Sequence, residues 1–156
     1  MLEQGQDLVY VAMASGISGT YQAALLAKQE LEEEFPDRCV CIIDSKGCGF
    51  GNGMLVLRAA ELSRQGLSAR EAGQILEEEV PHICQYFTVN DLNFLKRSGR
   101  VSGATAAIGT VLNIKPILYG SADGHIVACG KVRGRKKAID TLVETYAKKQ
   151  VDAANH

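Results

Sequence analysis

Leu8-Val-Tyr-Val-Ala-Met-Ala14 is apolar almost without interruption. A strand with one face in water alternates apolar and polar residues. This run does not, so it predicts a strand covered on both faces, as in a parallel sheet. Ser15-Gly-Ile-Ser-Gly-Thr20 follows as a tight loop. Tyr21 to Glu34 then carries Ala24, Leu25, Ala27 and Leu31 at helical spacing until Pro36 stops the helix. Cys39-Val-Cys-Ile-Ile43 reads as the second strand, ended by Asp44-Ser45, and a glycine-rich loop runs on to Gly53. Met54 to Arg64 reads as a second helix. Ser68-Ala-Arg-Glu71 has the spacing of a capping box, in which hydroxyl and carboxylate satisfy each other's orphan backbone donors, so a third helix runs from Ala69 to Glu79. Residues 1–80 therefore spell an α/β pattern with right-handed crossovers. Two strands make a poor sheet, a first sign that the domain has further parts.

The second half has another texture. Gln85–Val89 reads as a strand. Asn90 or Asp91 caps a short helix through Lys96, which Gly99 terminates, and Ala104–Leu112 reads as a small-residue helix. Ile114–Tyr119 is a strand in which Pro116 argues for an edge or a bulge. Ser121-Ala-Asp-Gly124 is a hairpin turn, His125–Cys129 returns antiparallel, and Gly134–Lys149 is a final helix. The boundary falls near Val80–Cys84. Charge changes there too: residues 1–80 carry 13 acidic and 6 basic side chains, and residues 81–156 carry 5 and 11. An apolar content of 46% with 22% charged residues excludes a disordered chain, and the absence of Trp predicts an aliphatic core. No apolar run is long enough to span a bilayer, and the first residues lack the basic and apolar regions of a leader. Five cysteines in such a chain are expected to be reduced thiols, mostly small buried hydrophobes, in a cytoplasm.

Four segments could carry chemistry. Ser15–Thr20 leaves a strand and opens a helix, where outward N–H groups, the helix dipole and three hydroxyls favour a carboxylate or phosphate. It lacks the register of a nucleophile elbow and the Gly-Lys-Ser/Thr of a P-loop, and Ser18 as a plain helix cap is an equal reading. Asp44–Gly53 lies on the same sheet edge, where open α/β sheets bind ligands; its glycines do not spell a dinucleotide fingerprint. Lys96-Arg-Ser-Gly-Arg100 places a guanidinium in a turn past a helix, suited to an anion or to the helix dipole. Lys131–Lys137 holds five basic residues in seven and opens a helix. It has no interleaved aromatic, so a solvated face, an acidic partner or an anionic membrane surface is favoured over nucleic acid. Cys39 and Cys41 share one side of a strand, but no second pair or His set has metal-ligand spacing, and no acid–base pair or Ser/His/Asp set can be assembled.

Ser15-Gly-Ile-Ser-Gly-Thr-Tyr-Gln22, Ile43-Asp-Ser-Lys46, Asn90-Asp-Leu-Asn-Phe-Leu-Lys-Arg-Ser-Gly-Arg-Val101, Leu112-Asn-Ile-Lys-Pro-Ile-Leu118 and Lys131-Val-Arg-Gly-Arg-Lys-Lys137 occur in that order. Together they resemble the DegV family of bacterial fatty-acid-binding proteins over nearly the whole chain, from Leu8 to Tyr146. The resemblance implies two α/β domains, with residues 1–82 the second half of an N-terminal parallel-sheet domain. Residues 83–156 would be the first part of a mixed C-terminal domain with an antiparallel hairpin. It implies a cytoplasmic, non-enzymatic carrier that holds a long-chain fatty acid between the domains and presents it to a separate fatty acid kinase. No metal or other cofactor and no nucleic acid would be involved; transient contact with an anionic membrane surface would be. Ser15 and Ser18, with Gly19, Thr20 and Ser45, would hold the carboxylate, and Arg100 would face the same head group. The family's upstream Thr-Asp-Ser-Thr strand, a further upstream Thr and a far C-terminal His have no counterpart here, so the chain resembles the middle of a longer protein. Ala14, often Ser in the family, and Asn90-Asp91 are smaller departures. The competing readings are an enzyme acting on a small phosphate or carboxylate substrate through the same loop, and a DNA-binding module using Lys131–Lys137.

Overall fold

The structure, a computed structural model, describes residues 1–101 and 113–150. Contacts divide them into two units, residues 1–83 with Ala122–Gly124, and the rest from Cys84 onward.

In the first unit, β1 (Leu8–Ala12) and β2 (Val40–Asp44) pair parallel, with Leu8 opposite Val40 and Ala12 opposite Asp44. Helix α1 (Thr20–Glu34) connects them, and α2 (Phe50–Arg64) and α3 (Ala69–Glu79) follow. This is the parallel pairing expected for strands joined by a helix. The core is aliphatic: Ile43, Leu55, Leu62, Ala72 and Leu76 are buried, with Val9, Val11 and Ile75 packed against them.

Three expectations are corrected here. β1 is not covered equally on both faces: Val9 and Val11 pack on the core, whereas Tyr10, on the opposite face, stays 41% exposed, and only Ala12 is fully buried. Helix α1 forms where expected but buries no residue. Helix α2 begins at Phe50 rather than Met54, so half of the expected glycine loop is its first turn. The break comes at Gly49, whose φ of 55° ends the loop. The capping box is present: Glu71 N–H donates to Ser68 Oγ at 3.3 Å and Ser68 N–H to Glu71 Oε2 at 2.9 Å. The Ser68 hydroxyl also donates to Glu71 Oε2 at 2.6 Å, and this bond, with that from the Ser68 N–H, holds the Glu71 carboxyl below its usual range.

The second unit holds a three-stranded antiparallel sheet ordered β3 (Tyr86–Phe87), β4 (Ile114–Gly120), β5 (Ile126–Arg133). Helix α4 (Asn93–Arg97) lies between β3 and β4 in sequence, and α5 (Arg135–Lys149) closes the described chain. Asp91 Oδ1 accepts from Asn93 N–H at 2.8 Å, and Gly99 takes the left-handed φ of 72° that ends α4. The expected helix Ala104–Leu112 lies outside the described residues.

β3 is shorter than expected, and β4 is the central strand rather than an edge. Pro116 is accommodated because β3 reaches only Leu118 and Tyr119, so at Pro116 β4 is paired on one side, with Lys131 opposite. The expected bulge follows directly. Ile117 faces Gly130 and Leu118 faces Ala128, which leaves Cys129 as the extra residue. The turn closes through Ser121 N–H to the His125 carbonyl at 2.9 Å, with Gly124 at φ 81°. β5 runs on to Arg133, so the basic run does not open a helix as one block. Lys131 and Arg133 are on β5, and Arg135, Lys136 and Lys137 are on α5.

Candidate functional site

Both connections that follow the parallel strands leave the same end of the sheet, and the backbone ties them together. Ala14 N–H donates to the Gly47 carbonyl at 2.8 Å, and Ser45 N–H to the Ala12 carbonyl at 3.1 Å. Asp44, the last residue of β2, organises the rest. Its Oδ1 accepts from the N–H groups of Ser15 and Lys46, each at 3.1 Å, and its Oδ2 accepts from Lys46 Nζ at 2.8 Å. Burial pushes the Asp44 carboxyl up, but the bonds from Lys46 and Ser15 outweigh it and leave the carboxyl below its ordinary value. Lys46 takes a φ of 51°, which turns its backbone back toward the strand end. Its ammonium also donates to Ser15 Oγ at 3.3 Å.

The predicted residues divide by what they do. Ser15 is half-buried, and its hydroxyl sits beside the Lys46 ammonium. Ser18 does not cap α1 in the usual way: Gly19 is the N-cap. Ser18 Oγ instead accepts from Thr20 N–H at 3.3 Å and lies 2.9 Å from Thr20 Oγ1, so the two hydroxyls form one exposed polar edge at the start of the helix. The first turn of α1 has no acidic side chain to compete with a bound anion. Gly19 is exposed, and a Cβ there would meet open space. Gly16 is the opposite case: a Cβ would lie 2.7 Å from the Gly124 backbone and 2.8 Å from the Asp123 carbonyl, so the backbones approach closely only because it is glycine.

Ser45 is 1% exposed, and its hydroxyl is spent on the Gly47 backbone, donating to the carbonyl at 3.1 Å and accepting from the N–H at 3.2 Å. It shapes the loop from within. Arg100 belongs to the second unit, where it is exposed and its guanidinium donates to the Ser98 carbonyl. Asp44 and Lys46 lie in the Asp44–Gly53 segment that the sequence marked, but of that segment only Ser45 was named as a site residue; the structure brings Asp44 and Lys46 to Ser15. Beyond that segment, their signal in the sequence was an acidic residue at a strand end followed two positions later by a cation.

The arrangement offers hydroxyl and amide donors and one cation, with the carboxylate partner of that cation turned inward. It suits a carboxylate held by charge-assisted hydrogen bonds. A cavity of about 880 Å³ in the first unit is lined by Met54, Leu57, Glu79, His82 and Ile83, among others, and by no residue of the two loops. Among the described residues, no group of three or more side chains could hold a metal ion, and no helix is long and apolar enough to cross a membrane.

Comparison with known proteins supplies the context. A family model described as "Uncharacterised protein, DegV family" matches residues 1–156. A DegV domain-containing protein of Clostridium perfringens is 40% identical over 151 residues, covering 97% of this chain and 52% of that protein. Among solved structures, a fatty-acid-binding DegV family protein from Thermus thermophilus matches with a TM-score of 0.78 and 37% identity, over 95% of this chain and 51% of that one. The Fatty Acid Kinase (Fak) B3 protein of Streptococcus pneumoniae, loaded with linoleic acid, matches with a TM-score of 0.83 and 25% identity, over 94% of this chain and 53% of that one. The chain thus spans about half the length of the relatives it matches. With the motifs in order along the chain, a mixed α/β fold shared with these structures and a family model matched from end to end, the chain belongs to the DegV family.

Proposed function

We propose that this chain is the part of a cytoplasmic fatty-acid carrier that grips the acid group. Ser15 Oγ, the Ser18–Thr20 hydroxyl edge and the backbone at Gly19 donate to the carboxylate. Lys46 supplies the nearby positive charge in the first unit, and Arg100 supplies a second cation from the other unit. Ser45 and Asp44 position the loops without touching the ligand. The acyl chain lies in the apolar interior of the whole protein, and the exposed acid is handed to a separate kinase. Residues 1–82 and 83–156 are read as parts of two successive domains of that protein. Contact with an anionic membrane surface during loading follows from the charge of the second half.

One observation carries the reading: the Asp44-centred network sets the Ser15 hydroxyl 3.3 Å from the Lys46 ammonium at the carboxyl ends of two parallel strands. Ligands in open α/β sheets bind at that place. The similar proteins from Thermus thermophilus and Streptococcus pneumoniae, described as fatty-acid-binding and as loaded with linoleic acid, support the ligand class. Against a Ser–Lys nucleophile stands the ion pair: the Lys46 ammonium is engaged with Asp44 and acts as a donor, not a base.

Magnitudes assign roles to the two ends of the ligand. Burying about 15 methylenes contributes roughly 12 kcal/mol before binding costs. A charge-assisted hydrogen bond to the head group contributes about 1.5–3 kcal/mol. The tail therefore sets affinity, and Ser15, Lys46 and Arg100 set the placement of the acid. Native mass spectrometry of the purified protein with oleate tests this. The expected result is one bound acid, with Ser15→Ala weakening binding by about tenfold and impairing phosphorylation by the partner kinase more strongly. A protein that carries no acid and takes up none, or that turns over a phosphate ester instead, overturns the reading.

A further inference from the structure

Cys39 and Cys41 stand two residues apart on one face at the start of β2, with their sulfurs 3.6 Å apart. Every cysteine is a free thiol, and these two are half-buried. Their surroundings differ. Cys39 lines an open polar cleft of about 310 Å³ together with Asp7, Asp37, Arg38, Ser68 and Arg70. Cys41 sits deeper on the same face: its sulfur lies against α3, where a Cβ on Gly73 would come within 2.9 Å of it. Burial, then the hydrogen bond with Cys39 and that thiol's charge, push the Cys41 thiol up to about 11, against the opposing pull of Lys28 and Arg70. Either sulfur can donate in their contact, and Cys39, the one that opens on the cleft, is the sulfur an incoming disulfide meets first.

We propose that Cys39 and Cys41 form a reversible dithiol site that exchanges with low-molecular-weight disulfides of the glutathione type reaching Cys39 through the cleft. The Cys39 thiolate attacks one sulfur of the small disulfide. A mixed disulfide forms, and one small thiolate leaves. Cys41 then attacks the Cys39 sulfur, its proton passes to the departing second thiolate, and the Cys39–Cys41 bond closes. In sum, one dithiol is oxidised and one small disulfide is reduced to two thiols.

Geometry makes the bond easily reversed. Two residues of extended strand place their Cα atoms about 6.6 Å apart, at the far end of the range a disulfide tolerates. Closure must shorten the strand locally, and a strained disulfide is more readily reduced. The site is thus expected to form under oxidising conditions and reopen when they pass.

The experiment needs no cysteine background, because trypsin cuts after Arg38 and Lys46 and releases residues 39–46 with Cys39 and Cys41 as its only cysteines. The folded chain is treated with oxidised glutathione, alkylated with iodoacetamide, digested and weighed. The expected peptide is lighter by two hydrogens, carries neither glutathione nor alkyl group, and returns to the dithiol after reduction. Its formation is at least about tenfold faster in the folded chain than in urea, since the fold sets the sulfurs side by side. Cys41→Ser is expected to trap glutathione on Cys39, and Cys39→Ser to slow the loss of the Cys41 thiol by at least about tenfold. Four results overturn the proposal: a persistent glutathione adduct on the wild-type peptide, double alkylation while the exposed Cys84 and Cys129 are oxidised, linkage of either cysteine to a third, or equal rates in urea.

Discussion

Asp44 couples its own ionisation to the stability of the loops. Its folded-state carboxyl lies below the ordinary value of 3.8, so the unfolded chain binds the proton more readily. The stability it contributes is complete above 3.8 and is lost as pH falls through the lower folded value. Asp44→Asn is therefore expected to unfold at lower urea concentration than the wild type at pH 7, with the gap closing below pH 3.8; a gap independent of pH would assign the effect to packing instead. At Gly16 the argument is steric. A Cβ 2.7 Å from the Gly124 backbone cannot be relieved by a rotamer change, so Gly16→Ala is expected to cost about 1–3 kcal/mol in urea unfolding. Gly19→Ala meets open space and serves as the control. The hydroxyls of Ser15 and Ser18 were legible in the sequence, since a Ser/Gly loop between an apolar run and a helix is a local pattern. The Asp44–Lys46–Ser15 network was not, because it joins residues 31 positions apart and turns on a left-handed lysine backbone.

Helix α3 was the most legible element, because its start is written within four consecutive residues whose first and last, Ser68 and Glu71, bond to each other. Ser68→Ala is expected to remove about 1 kcal/mol of stability, measured by thermal or urea unfolding. The face of α3 was less legible. Gly73 is buried in mid-helix, where intrinsic propensity disfavours glycine, and only the position of the Cys41 sulfur explains it. Gly73→Ala is expected to destabilise the fold despite the better helix former, by about 1–3 kcal/mol, with Cys41→Ala restoring part of the loss. A gain in stability from Gly73→Ala would show that the helix shifts freely. The strands show the same division. Parallel β1–β2 and the β4–β5 hairpin follow from short-range patterns, but the length of β3 and the central place of β4 depend on pairing between distant segments. Helix α2 starts early because tertiary packing around buried Gly51 and Leu55 overrides two unfavourable glycines.

At the scale of the chain, the amount of apolar surface left in water stands out. Phe50 is 95% exposed, Leu57 69% and Leu26 64%, and the parallel sheet has two strands among the described residues. Surfaces of this kind and open strand edges promote association. The 156-residue chain is expected to elute above its monomer mass in size-exclusion chromatography with light scattering, and Leu26→Lys with Leu57→Lys to shift it toward the monomer. A monodisperse wild-type monomer would refute this. Charge and pattern change near residue 80 in the sequence, and the contacts divide the chain near there without a single cut: Ala122–Gly124 groups with the first unit. The consequence is one of timing during synthesis. When residue 83 leaves the ribosome, the first unit has its strands and helices but not the tripeptide that roofs Gly16, which is translated only after β3 and β4 of the second unit have been spelled out. The nascent loop that carries Ser15 must wait, unroofed, for a piece of chain belonging to a later stretch of the message.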